Sequence, residues 1–467
     1  MVATENTAVT VKMSDDEKAL PKHPLRDTLV ISFSFMAIYT SYLAIQNLQS
    51  SLNQEAGLGV TSLACLYGTI LISGTMAPSF IRIVGAKRSL VIAWIIHTIY
   101  TASNFYPTWA TLIPSSILLG GIAGPQWTSQ GLYLSRSGDA YSRIINENIH
   151  SALSKLNGIF FTCYEATQIT GNLISSLVLQ QGSYDESEDN VTKTCGADSC
   201  PIAANGTLIQ EPDTHVVYIL LGIFLVCDVV GICLTAFLLP KLITPKSQKQ
   251  SLSKSVVSCC TTLVDKKMTL LIPLFMSQAM NQGLLLSEYT KAFISCSLGI
   301  SMVGFIMACF GGSTAILALL IGRLAKYTGR YLLFTVASAI DMGMLLTLYF
   351  WEPQKDQLYL FFIIPTVWGI SEAIFQAQFN SLISILFEEK MDSAFANYHT
   401  SKAFAFTTTF VCGVFLCLRT RIYIAIGLLS VGFLGYIGAE IIFSRTKLSK
   451  NRKDDNVPAT TDEKTHL

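Results

Sequence analysis

The sequence predicts an all-α polytopic membrane protein whose twelve transmembrane helices form two related six-helix halves. Three observations carry this. Charged residues make up 13% of the 467 residues and apolar residues 51%, whereas soluble domains are about 25% charged. Uncharged apolar runs of bilayer-crossing length recur along the chain. The pattern of one such run, Leu112 to Leu134, also returns at Gly369 to Gln378, so that Gly121 matches Gly369, Trp127 matches Phe375 and Gln130 matches Gln378.

A 19-residue window is the usual scale for a crossing helix. On that scale the spans fall at 29–48, 63–82, 89–106, 112–134, 156–179, 216–239, 269–286, 303–322, 332–350, 358–384, 403–418 and 422–443. The fourth is the most unusual. Its 23 residues carry no charge but include Pro114, Gly120, Gly121, Gly124, Pro125, Gln126, Thr128 and Gln130. Lipid contact does not require such residues, so this helix is expected to face protein or a cavity. The first 27 residues lack the apolar core and cleavage site of a secretory signal, and neither end carries a lipidation motif. Anchoring is therefore expected to come from the spans.

Orientation follows from the basic residues. With both termini in the cytosol, the outer loops hold only Lys193, Lys291, Lys355, Arg419 and Arg421 of the 32 Lys and Arg residues, with Lys155 and Lys402 at span mouths. Basic residues concentrate on the cytosolic side of membrane proteins. The expected division is a cytosolic segment 1–27, a first half 28–240 with an outer loop 180–214, a cytosolic linker 241–268, a second half 269–444 and a cytosolic tail 445–467. The outer loop contains two glycosylation sequons, at Asn190 and Asn205, beside Cys195 and Cys200. An oxidising compartment makes a Cys195–Cys200 disulfide the expectation there, with two free thiols as the alternative.

The repeat extends beyond the fourth span. Pro78 and Gly85 match Gly322 and Gly329 at an offset of 244, and Ser154-Lys155 matches Ser401-Lys402 at 247. Each pair falls in corresponding spans. Two six-span halves in parallel repeat are the signature of the major facilitator architecture. The segment from Gly322 to Arg330 resembles that superfamily's loop motif, in which glycines permit a tight turn and bases meet the negative ends of helix dipoles. The copy from Pro78 to Arg88 is degenerate. Bases, Arg82 and Lys326, replace the acid usual at the fifth position of each copy.

In this architecture the first, fourth, seventh and tenth spans surround the centre, which makes Gln46, Gln126, Gln130, Gln278, Asn281, Gln282, Glu372, Gln376 and Gln378 the cavity candidates. They could meet a solute or water, or simply hydrogen-bond between helices. Glu372 is the strongest functional candidate, because an ionisable group in hydrocarbon needs a partner or water. Asp228 and Asp341 stand apart from other charges in the sequence and could relay protons or pair with a neighbouring hydroxyl. His97 reads as a packed residue. No Arg or Lys is expected deep in any span. The chain has no phosphate-binding loop, zinc-protease helix or nucleophile elbow, so an enzyme is not expected. No metal, cofactor or nucleic-acid partner is expected either.

Several segments together resemble the unc-93 family. They are Leu48 to Leu52 with Gly57 to Val60, Leu118 to Trp127, Gly171 to Ser176, Cys195 to Cys200, Ser287 to Thr290, Thr328 to Arg330 and Phe395 to Tyr398. The resemblance implies a facilitator-fold glycoprotein of the plasma membrane, with endosomal membranes as the alternative. Relatives act through other membrane proteins: one regulates a two-pore potassium channel, and another escorts Toll-like receptors. The implied role is regulation or escort of another membrane protein such as a potassium channel. The alternative is secondary transport of a small neutral or cationic organic solute.

Overall fold

The computed structural model describes residues 21–182, 195–200, 212–242, 252–387 and 390–454. Among these residues twelve long helices overlap the twelve predicted runs. They are α1 (Pro24–Leu52), α2 (Leu58–Val84), α3 (Ala86–Ser103), α4 (Trp109–Ile145), α5 (Ile149–Leu179), α6 (Thr214–Cys233), α8 (Lys266–Leu284), α9 (Ser301–Thr328), α10 (Arg330–Phe350), α11 (Leu358–Leu386), α12 (Met391–Phe415) and α13 (Leu418–Asp454). A short helix, α7 (Leu252–Leu263), precedes α8. Among the described residues eight helical stretches are long and apolar enough to cross a membrane by length and composition. α3, α4, α5 and α12 are not among the eight, in line with the polar and small residues that interrupt them.

The chain clusters into two units. The first takes the described residues within Met1–Asp189, Ile209–Ser251 and Leu298–Gly312; the second takes those within Asn190–Leu208, Leu252–Ser297 and Ser313–Leu467. The segment 195–200, placed by the sequence in a loop of the first half, thus belongs to the second unit.

In the first unit, α4 explains the oddity of its sequence. Gly120 and Gly124 lie one turn apart, and a Cβ on Gly120 would come 2.1 Å from the Leu66 carbonyl oxygen, one on Gly124 2.4 Å from that of Ser73. Small residues four apart let helix backbones approach closely in membranes. The glycines therefore seat α4 against α2, where Ser73 Oγ also accepts from the Gly124 amide at 3.1 Å. Thr108 and Thr111 form a capping box at the start of α4. At 37 residues, α4 is about 55 Å long and outruns a hydrocarbon core of about 30 Å. Its polar last turns carry an Asp139–Arg143 pair at 3.1 Å. An aromatic core fills the centre of the unit, where the Phe35 ring lies 4.8 Å from Trp94 and 5.0 Å from Phe160.

The second unit packs α13 on α8 in a similar way, because a Cβ on Gly435 would lie 2.2 Å from the Leu270 carbonyl oxygen. Phe275 meets Phe379 at 4.9 Å, and Phe334 meets Tyr436 at 4.4 Å. The repeat shows in the backbone as well. Gly85, between α2 and α3, has φ +89° and ψ 147°; its match Gly329, between α9 and α10, has φ +73° and ψ 153°. Residues with a Cβ rarely adopt that region. The two glycines of the loop motif thus make the same turn in each unit. Arg82 is exposed, and Arg330 pairs with Glu440 at 2.7 Å; the side chain of Lys326 lies outside those described.

Candidate functional site

Several polar residues of the central spans meet partners within their own unit. In the first unit Gln126 sits at the hub. Its amide donates to the Tyr39 hydroxyl at 2.8 Å, and its carbonyl oxygen lies 3.1 Å from His97 Nε2. His97 is thus buried and held, as its place in the sequence suggests. Gln46 donates to the Tyr67 hydroxyl at 2.7 Å, and Asn47 to Asn172 Oδ1 at 2.8 Å. Gln130 is buried one turn after Gln126. Asp228 is not isolated in space: Ser41 of α1 hydrogen-bonds to its Oδ1, although its Oδ2 has no partner.

In the second unit α8, α10 and α11 bring five polar side chains together. Gln278 donates to Glu372 Oε2 at 2.5 Å, joining α8 to α11. One turn later Asn281 donates to Asp341 Oδ2 at 2.8 Å, joining α8 to α10. Ser371, beside Glu372, hydrogen-bonds to Asp341 Oδ1. Helical residues three apart share a face, which is why Gln278 and Asn281 can each reach a different acid. Glu372 also interacts electrostatically with Lys402 of α12, whose ammonium lies 5.5 Å from the centre of the Tyr398 ring. Gln378 is buried, while Gln282 and Gln376 are half-buried. The structure therefore gathers Gln278, Asn281 and Glu372, and adds Asp341, Ser371 and Lys402, which the sequence did not assign to the cluster. For Asp341 and Ser371 the advance signal was polarity inside apolar runs, and for Lys402 it was the repeated Ser-Lys pair at a span mouth.

Two expectations are corrected. Cys195 pairs with Cys296 (Cα–Cα 5.7 Å) and Cys200 with Cys417 (Cα–Cα 4.2 Å), rather than with each other. The partners are 101 and 217 residues away, a pairing that local spacing could not signal. The Gly196 amide donates to the Ala292 carbonyl, the Leu418 amide donates to the Ser199 carbonyl, and Arg419 pairs with Asp198 at 3.1 Å. The segment 195–200 is thus fastened at several points within its unit. Second, Arg421 is not an exposed loop base. It lies inside α13 at 2% exposure and pairs with Glu288 at 2.7 Å. Glu288 belongs to a π-helical stretch, Leu285–Ser295, that continues α8. The neighbouring Tyr289 hydroxyl donates to the Phe361 carbonyl at 3.0 Å. The sequons at Asn190 and Asn205 lie outside the described residues.

The long apolar helices and the polar pairs between them define a multispanning, all-helical membrane protein. A crystal structure of a mutant of the nucleoside transporter NupG is similar at TM-score 0.63 and 14% identity, covering 89% of this chain and 99% of the other. The family described as ion channel regulatory protein UNC-93 matches residues 49–438, and the chain belongs to that family. The human protein unc-93 homolog A is 36% identical over 434 residues, 91% of this chain and 95% of its own length. A Caenorhabditis elegans protein, unc-93, named as a candidate potassium channel regulatory protein, is 28% identical over 88% of this chain and 60% of its own.

Proposed function

We propose that this chain regulates or escorts another membrane protein, with a potassium channel as the partner class that the nematode relative's name suggests. The observation that carries the reading is how the central-span amides are used. Gln46, Gln126, Gln278 and Asn281 each donate to a neighbouring helix of their own unit, so they serve a folded scaffold. The charge asymmetry of the loops supports cytosolic termini, and the family supports the plasma membrane as the working site. Affinity purification from native membranes in mild detergent is expected to retain a multispanning channel protein. Recovery of the chain without any membrane protein counts against the reading.

A second reading rests on Glu372. This acid is half-buried and interacts electrostatically with Lys402, and the two groups could hold a small organic solute. Glu372→Gln is then expected to reduce uptake of that solute, and an unchanged rate removes the role.

A further inference from the structure

Asp341 is 2% exposed, and its two hydrogen-bond partners, Asn281 Nδ2 and Ser371 Oγ, are uncharged. The charged group with which it interacts is another acid, Glu372. A carboxylate taken from water without compensation is costly, and in a membrane interior such groups are retained with a partner. The side chains bonded to Asp341 and Glu372, and a serine one turn before Asp341 on α10, carry oxygens with nothing to accept from. Asn281 Oδ1 and Gln278 Oε1 are buried acceptors without a hydrogen bond, and Ser338 Oγ is buried and equally unpartnered. The three residues are 1%, 2% and 7% exposed. Buried polar atoms are nearly always satisfied, so such a group of exceptions calls for a missing species.

The arrangement follows from helix geometry. Gln278 and Asn281 share one face of α8; Ser338 and Asp341, also three apart, share one face of α10. Ser371 and Glu372 close the cluster from α11. Gln278 and Asn281 give their amide hydrogens to the acids and keep their carbonyl oxygens free.

We propose that this cluster is a binding site for one alkali-metal cation, held by Asp341 with the oxygens of Asn281, Gln278 and Ser338. A proton on Asp341 would cancel its charge but would leave the two amide oxygens without a donor, and a water molecule would satisfy two acceptors and leave the charge, so a proton and a water would be needed together. A monovalent cation meets both needs as a single species. Calcium takes six to eight oxygens and draws on several carboxylates, more than the cluster offers. No group of three or more His, Cys, Asp or Glu side chains fit to hold a metal ion occurs among the described residues, which sets a transition metal aside. The site is independent of the regulatory reading, and either can fail without the other.

The test uses the full-length chain purified in detergent. Its melting temperature is measured in sodium, potassium and N-methylglucamine chlorides at constant ionic strength and pH. Retention of radiolabelled sodium and rubidium is measured alongside. The expected result is a saturable rise in melting temperature with sodium or potassium and retention of close to one ion per chain. Asp341→Asn should abolish both, and Ser338→Ala, a milder change that keeps the carboxylate, should shift half-saturation to higher concentration. The proposal is overturned if all three salts give the same melting temperature. It is also overturned if stabilisation follows pH but not the cation, or if Asp341→Asn retains the ion.

Discussion

Arg421 Nη2 lies 2.7 Å from Glu288 Oε2, with both side chains buried, so that the first turn of α13 is tied to the π-helical end of α8. Removing one partner of a buried pair leaves the other charge uncompensated, at a cost of about 3–5 kcal/mol, whereas replacing both with apolar groups is often neutral. Arg421→Ala should therefore lower the melting temperature of the purified protein sharply. The double variant Arg421→Met with Glu288→Leu should recover most of the loss. Equal losses in the single and double variants would remove the pairing as the cause.

The disulfide pattern makes a chemical prediction. Non-reducing peptide mapping should recover Cys195 linked to Cys296 and Cys200 linked to Cys417. A bond closing a loop of about 100 residues contributes up to about 5 kcal/mol in the chain-entropy view. Cys296→Ser should accordingly make the protein markedly less resistant to heat. A peptide in which Cys195 is joined to Cys200 would contradict the structure.

The glycines of α4 separate by environment. Gly124→Leu should reduce the yield of folded protein, since a Cβ there would strike the backbone of α2, and overpacking costs about 1–3 kcal/mol even without backbone collision. Gly121→Ala, beside nothing within 4 Å, should be neutral or stabilising by up to about 1 kcal/mol. Size-exclusion profiles of the two variants would show the difference. Similar profiles would mean that α4 and α2 are not in close contact.

Gln126→Leu should cost on the order of 1 kcal/mol, because interhelical hydrogen bonds in membranes average about 0.6 kcal/mol and the variant loses bonds to both Tyr39 and His97. A small fall in melting temperature with partner binding retained is the outcome expected of a scaffold residue. Loss of partner binding in a protein that still melts normally would assign Gln126 a direct role.

Much of the fold could be read from the chain, since a bilayer imposes long apolar runs and a duplicated half repeats its turn glycines. Gly85 and Gly329 matched in sequence and adopt the same backbone conformation. Less of the site was legible. That Gln278 and Glu372 share a cluster depends on how α8 meets α11, across 94 residues of chain. Asp341 looked solitary because Asn281 and Ser371 lie on other helices. Arg421 stands beside a span end in the sequence, where a base reads as a loop residue, and only the fold brings Glu288 to it. The cysteine partners were hidden for the same reason.

The proposed regulation of another membrane protein, with a potassium channel as the partner class, is tested most directly by whole-cell potassium current. Cells that naturally express this chain would be recorded before and after its removal, and again after its return. Removal is expected to change the potassium current and re-expression to restore it. An unchanged current across all three conditions would contradict the proposed regulation.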